Sequence, residues 1–103
     1  MTEEEIKKAI DNPPYSIAIG NLHVCAYEFR KAAKRYLENV DKSKQDELAL
    51  ISRSKWALFC NSVYSLSHWS DANCDENLKT ELRKIAFGYL SSILNEFFVV
   101  ENS

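Results

Sequence analysis

Apolar side chains recur every three or four positions along most of this 103-residue chain. From Tyr15 to Val40 the spacing persists for roughly seven turns, which is typical of a single amphipathic helix. Residues 44–69 and 75–99 show the same period. The pattern therefore predicts three long helices, each of about 25 residues and roughly 37 Å in length.

Each of the last two helices carries a stripe of large apolar residues that we predict to face the core. The stripe of the third helix consists of Leu48, Ile51, Leu58, Phe59, Val63, Leu66 and Trp69. The stripe of the fourth helix consists of Leu78, Leu82, Ile85, Ala86, Tyr89, Ile93 and Phe97.

Local signals mark where the helices begin and end. Thr2 and Glu5 have the spacing of a capping box, which predicts a short first helix over residues 3–11. The Asn-Pro-Pro segment at 12–14 ends this helix, because a proline disfavours helical geometry in the residue before it. After a polar turn, Ser43 is the predicted N-cap of the third helix.

Two connecting segments need separate comment. Residues 16–19 and 22–25 could form the strands of a β-hairpin around the two-residue turn Gly20-Asn21. The helical period runs unbroken through the same residues, and we take the helix as the prediction. Between the third and fourth helices, residues 70–73 break the apolar pattern and predict a loop.

The predicted fold is all-α. The chain contains only two glycines and two prolines, which are few for the many tight turns of an all-β fold. Short connections make consecutive helices antiparallel neighbours. We therefore predict one domain, residues 1–103, built as an up-down-up bundle of three long antiparallel helices. The short N-terminal helix lies against them, so that the whole is similar to a four-helix bundle.

The charge pattern singles out one end of this bundle. Residues 13–27 and 56–70 contain no Asp, Glu, Lys or Arg. In an antiparallel pair of helices joined near residue 42, residues whose numbers sum to about 84 face each other. The two segments then lie side by side. Because an outer helix surface normally carries charge, either the first helix and the 70–74 loop cover this end or another chain does.

A second set of apolar or small residues lies off the core stripes of the third and fourth helices. One small core cannot bury both stripes of two helices, and large exposed apolar patches mark interfaces. We therefore predict self-association or docking on a partner protein through Ala57, Asn61, Tyr64, His68, Phe87, Leu90, Leu94 and Phe98.

Basic residues concentrate in the middle of the chain. Residues 30–55 hold eight of the 13 Lys and Arg but only four of the 15 Asp and Glu. Arg30, Lys31, Lys34 and Arg35 share one broad helix face and form the candidate basic patch. This patch supports an alternative function, a nucleic-acid-associated subunit that holds phosphates on the basic face of residues 30–55. A solvated helix face with acidic neighbours is the simpler interpretation.

Residues that could support catalysis or metal binding are sparse. The candidate ligands His23, Cys25, Cys60, His68 and Cys74 lack the short paired spacings of zinc sites. The two glycines cannot form a glycine-rich phosphate loop. We predict no catalytic residue, no metal, no cofactor and no enzymatic activity.

The remaining expectations concern location and role. An odd cysteine count without a secretory signal predicts free thiols in the reducing cytoplasm. No apolar run reaches the roughly 20 residues that a membrane span needs, so we expect no membrane partner. The sequence as a whole favours a small interaction module of the inhibitor, immunity, adaptor or assembly-subunit type.

Overall fold

The computed structural model describes residues 1–69 and 75–98. These residues form four α-helices: α1 (Glu3–Ile10), α2 (Tyr15–Glu38), α3 (Gln45–Ser67) and α4 (Glu76–Phe97). Helices α2, α3 and α4 pack on one another, and α1 contacts α2 and α4. The predicted all-α bundle with a short N-terminal helix is confirmed. The predicted end of the fourth helix at Val99 and the break at 70–73 lie outside the described residues.

Helix α1 starts with the predicted capping box. The backbone N–H of Glu5 donates to the Thr2 hydroxyl at 3.2 Å, and the Thr2 N–H donates to the Glu5 carboxylate at 3.4 Å. Two backbone donors that the helix itself cannot satisfy are thus paired. Ile6 and Ile10 pack against the core, so α1 closes the side of the bundle between α2 and α4.

Helix α2 is continuous, and the alternative of a hairpin over residues 16–25 is wrong. Gly20 lies inside the helix, and no atom lies within 4 Å of the place where a Cβ would stand. Close packing of another segment against α2 therefore does not require a glycine at this position. The helix ends at Glu38 rather than residue 40, and Val40 is exposed beyond it.

The turn before α3 differs from the prediction. The Asp41 carboxylate accepts hydrogen bonds from the Ser43 hydroxyl at 2.6 Å and from the Ser43 N–H at 3.0 Å. These two bonds hold the pKa of Asp41 below its ordinary value. Because its hydroxyl serves Asp41, Ser43 does not cap α3. A short 3-10 turn, Lys42–Lys44, leads into the helix instead.

The core comes from the predicted stripes, but three stripe members of the third helix lie outside it. Leu48 and Ile51 are half-buried beside a small cavity, and Leu58 is 53% exposed, whereas the adjacent Phe59 is fully buried. Consecutive helical residues are rotated by about 100°, so Leu58 points away from the part of the core that Phe59 fills. The large side chains with almost no exposure are Leu22, Phe59, Leu66, Leu78, Leu82 and Ile93.

The register of α2 against α3 is the predicted one. The Tyr15 and Trp69 rings lie 5.1 Å apart, and the Ser52 hydroxyl donates to the Ala32 carbonyl at 3.2 Å. The residue numbers of both pairs sum to 84. The uncharged parts of α2 and α3 are therefore neighbours, as the sequence predicted.

Candidate interaction surface on helices α3 and α4

The outer sides of α3 and α4 meet in one apolar surface, which we call the α3/α4 face. Its most exposed large side chain is Tyr64, at 63% of its full accessibility, and Phe87 is still 47% exposed. Seven of the eight predicted contact residues are exposed, whereas Leu90 is half-buried and packs against the core. The α3/α4 face comprises Ala57, Cys60, Asn61, Tyr64, His68, Phe87, Leu90, Leu94 and Phe98.

The centre of the α3/α4 face is a shallow groove of about 210 Å³ between the two helices. Contacts at both ends of the groove fix the antiparallel register of α3 and α4. At one end Arg83 donates to the Ser67 carbonyl at 3.3 Å, and at the other the Trp56 and Phe98 rings lie 5.3 Å apart. The lining residues are Cys60, Val63, Tyr64, Ser67, His68, Phe87 and Leu90.

The groove brings together only part of the predicted set. Tyr64, His68, Phe87 and Leu90 line it, whereas the other four lie on the surface around it. Sequence reasoning missed Cys60, which is half-buried in the groove. The sequence does contain a signal for this position. Cys60 lies three residues before Val63 of the core stripe and four before Tyr64 of the outer stripe, so it falls between the two stripes.

The α3/α4 face carries almost no charge. Residues 56–69 of the α3 region hold no Asp, Glu, Lys or Arg, and Glu96 is the one such residue in 85–98. Glu96 points away from this face, because its carboxylate accepts from the Arg30 guanidinium of α2 at 2.8 Å.

None of the described helices combines the length and the apolar character that crossing a membrane requires.

The Tyr64 and His68 rings form a stacked pair at the edge of the groove. Their centroids are 4.2 Å apart and their planes differ by 22°. The His68 Nδ1 atom lies 3.1 Å from the Tyr64 carbonyl and 3.0 Å from the Ser67 hydroxyl. These local contacts hold the imidazole against the tyrosine, so both rings present their remaining surface to solvent.

The Cys60 thiol lies at the boundary between core and groove. Burial raises its pKa above the ordinary value, because the apolar surroundings disfavour the thiolate. A thiol in this state is a weak nucleophile and a poor metal ligand at neutral pH. Its position therefore suits packing within the α3/α4 face rather than chemistry there.

A second uncharged surface lies on the other side of α3. Ile17, Val24 and Tyr27 of α2 are exposed there, together with Leu58 of α3. Helix α1 does not shield them, since it packs on the α2/α4 side of the bundle. Within residues 1–69 and 75–98, neither uncharged surface is covered from inside the fold.

The candidate metal ligands are dispersed. His23 lies 2.9 Å from the Tyr89 hydroxyl of α4, whereas Cys25 accepts a hydrogen bond from Ser62 of α3 at 3.4 Å. The two residues thus face different neighbours across α2. Cys74 lies outside the described residues. Among those described, no group of three or more His, Cys, Asp or Glu side chains is placed to hold a metal ion.

The candidate basic patch divides. Arg30 turns towards α4, where it pairs with Glu96 and donates to the Ser92 hydroxyl at 2.9 Å. Lys31 and Arg35 instead line a small cavity of about 120 Å³ between α2 and α3. Because Arg30 is paired with Glu96, and Lys31 and Arg35 share their cavity with Glu28, the four cations do not form one unpaired basic surface. Nucleic-acid binding stays a prediction.

Comparison with known proteins adds no identification of the chain. No family model, no curated protein and no solved structure matches it.

Proposed function

We propose that this protein is a non-enzymatic interaction module that associates with protein through the α3/α4 face. One observation carries the proposal: this face exposes Tyr64, Phe87, Leu94 and Phe98, and no charged side chain lines its central groove, although the core is filled by other residues. Exposed apolar patches of this kind are characteristic of interaction sites. Such a module acts by occupying or bridging its partner, as inhibitors, immunity proteins, adaptors and assembly subunits do.

The occupant we propose for the α3/α4 face is a second copy of the chain. In a two-fold dimer each residue near the axis meets its own symmetry mate, so any charge there would face a like charge. The centre of the α3/α4 face avoids that repulsion, because no Asp, Glu, Lys or Arg lines the groove. Two helices from each copy would pack as an intermolecular four-helix layer, a geometry that buries apolar stripes efficiently.

The cysteines support the setting we propose for this module. Cys25 and Cys60 are free thiols, and each is half-buried as a small apolar group. Unpaired cysteines are typical of the reducing cytoplasm, where we propose that the protein acts.

Sedimentation equilibrium over roughly 1 to 100 µM tests the proposal. We expect a monomer–dimer equilibrium for the native chain. The variant Phe87→Ser removes an aromatic anchor from the groove and should weaken association by roughly 30-fold or more, as loss of an interface hot spot does. Its circular dichroism spectrum should remain that of the native chain, because Phe87 lies outside the core.

The matched control is Ile17→Ser, since Ile17 is 62% exposed but lies on α2, away from the α3/α4 face. We expect this variant to associate like the native chain. A native chain that remains monomeric at the highest concentration would refute self-association. Dissociation by Ile17→Ser but not by Phe87→Ser would assign the interface to the α2 surface instead.

A further inference from the structure

A larger pocket adjoins the α3/α4 face and shares with it one residue, Phe98. It opens where α4 ends, between the C-terminal part of α2 and the first half of α3, and encloses about 340 Å³. We call it the aromatic pocket. Its lining consists of Phe29, Ala33, Tyr36, Leu37, Ser52, Arg53, Trp56, Phe97 and Phe98.

Aromatic rings in mutual contact build the wall of this pocket. The Phe29 ring lies 5.1 Å from Trp56 with tilted planes and 5.5 Å from Phe97 in a T-shaped arrangement. Trp56 in turn lies 5.3 Å from Phe98. The rings hold one another in tilted, edge-directed arrangements, which aromatic pairs favour. The wall is therefore preformed, and a ligand need not order it.

The polar groups of the aromatic pocket are hydrogen-bond donors. Arg53 is the one charged lining residue and, within the described part of the chain, it has no ion-pair partner. Trp56 adds an indole N–H and Tyr36 a hydroxyl, and no described residue bonds to either. The hydroxyl of Ser52 is already used, because it donates to the Ala32 carbonyl.

From this combination we infer that the aromatic pocket binds a small amphiphilic carboxylate, a molecule with an apolar body and one anionic head. The body would displace water from the aromatic wall, and the head would accept from the Arg53 guanidinium. The charge of the surrounding chain also favours an anionic head group, since residues 30–55 hold eight Lys and Arg against four Asp and Glu. A cationic head would meet this excess unfavourably.

The volume gives the scale of the ligand. The pocket is open on one side and has a volume of about 340 Å³, which admits the apolar body of a small molecule. Octanoate, whose eight carbons include that of the carboxylate, matches that size. It can be compared with two molecules whose main chain also has eight carbons: 1-octanol, which is neutral, and octyltrimethylammonium, which is cationic.

Isothermal titration of the 103-residue chain with these three molecules is the test. We expect octanoate to bind roughly tenfold or more tightly than 1-octanol, and octyltrimethylammonium to bind most weakly, because only the carboxylate forms a charge-assisted hydrogen bond with Arg53. The variant Arg53→Gln should abolish the preference for octanoate while leaving the affinity for 1-octanol within about twofold. Arg35→Gln, an exposed arginine outside the pocket, is the control and should keep the preference.

Tryptophan fluorescence locates the binding site. Trp56 lines the pocket, whereas Trp69 contacts Tyr15 near the other end of the bundle. In Trp69→Phe, octanoate should change the emission of the remaining Trp56. Equal affinity for the three head groups would overturn the inference, as would an Arg53→Gln variant that keeps the preference for octanoate. If Arg35→Gln lost the preference equally, the preference would come from diffuse attraction by the basic region, and this too would overturn the inference.

Discussion

The two sides of helix α3 have similar composition and opposite surroundings. The inner side places Phe59 and Leu66 against α2 and α4, where neither is accessible to solvent. The outer side exposes Tyr64 over more than half of its surface and leaves Ala57 and Asn61 exposed beside it. A helix of a small bundle usually separates apolar from charged residues. Between residues 56 and 67, α3 instead has buried apolar residues on one side and exposed uncharged residues on the other. This departure from the usual pattern supports the proposed contact with another molecule.

The largest effect expected from this comparison is on stability. Phe59→Ala should lower the free energy of unfolding by about 3–5 kcal/mol, because it removes a fully buried ring and leaves a cavity. Tyr64→Ala, on the outer side, should change the stability of the monomer by about 0.5 kcal/mol or less. Urea unfolding at a concentration where the chain is monomeric measures both. Equal losses would show that the outer side of α3 is part of the core.

The sequence predicted the inner side of α3 well and its flank poorly. The period of the apolar residues was sufficient to place Phe59, Val63 and Leu66 in the core. It could not separate Leu58 from them, because both positions are apolar and only the packing of α2 decides which one is buried. The position of the turn near residue 42 predicted the register of α2 against α3, because residues whose numbers sum to about 84 face each other in an antiparallel pair.

The candidate sites show a similar limit. The spacing of Tyr64, Phe87 and Leu90 indicated one surface, but Cys60 entered it only once α3 and α4 were packed together. The basic cluster was overestimated because sequence spacing does not reveal that Arg30 pairs with Glu96, 66 positions away. The aromatic pocket depends on where α4 ends relative to α2 and α3, and no local pattern carries that information.

The Cys60 thiol sharpens the comparison because it lies between the two sides of α3. In a variant with Cys25→Ser and Cys74→Ser, iodoacetamide should modify Cys60 more slowly than free cysteine at the same pH. Burial both shields the sulfur and raises its pKa, so the thiolate appears only at higher pH. The rate should increase as pH rises through the raised pKa, and mass spectrometry can follow it.

The same measurement reports on association. Because Cys60 lines the groove, a second copy seated on the α3/α4 face should slow its alkylation as protein concentration rises. The Phe87→Ser substitution, combined with the two cysteine replacements, should remove that dependence on concentration. A rate independent of concentration in the unsubstituted groove would contradict the proposed occupant, provided that sedimentation shows dimers under the same conditions.

The smallest expected effect concerns α4, whose two sides differ in the same way as those of α3. Its α2-facing side holds Glu96, which is paired with Arg30, whereas its α3/α4 side holds no charge between residues 85 and 98. Glu96→Gln should lower stability by about 0.2–1 kcal/mol, because the pair is only partly buried and water screens it. Glu76→Gln, which affects the exposed pair with Lys79, should cost less. Thermal unfolding at low and high salt separates the two, since the more buried pair is the less sensitive to salt. Equal salt dependence would mean that Arg30 is not committed to α4. Its guanidinium would then be free to act with Lys31, Lys34 and Arg35, the other residues of the predicted basic patch.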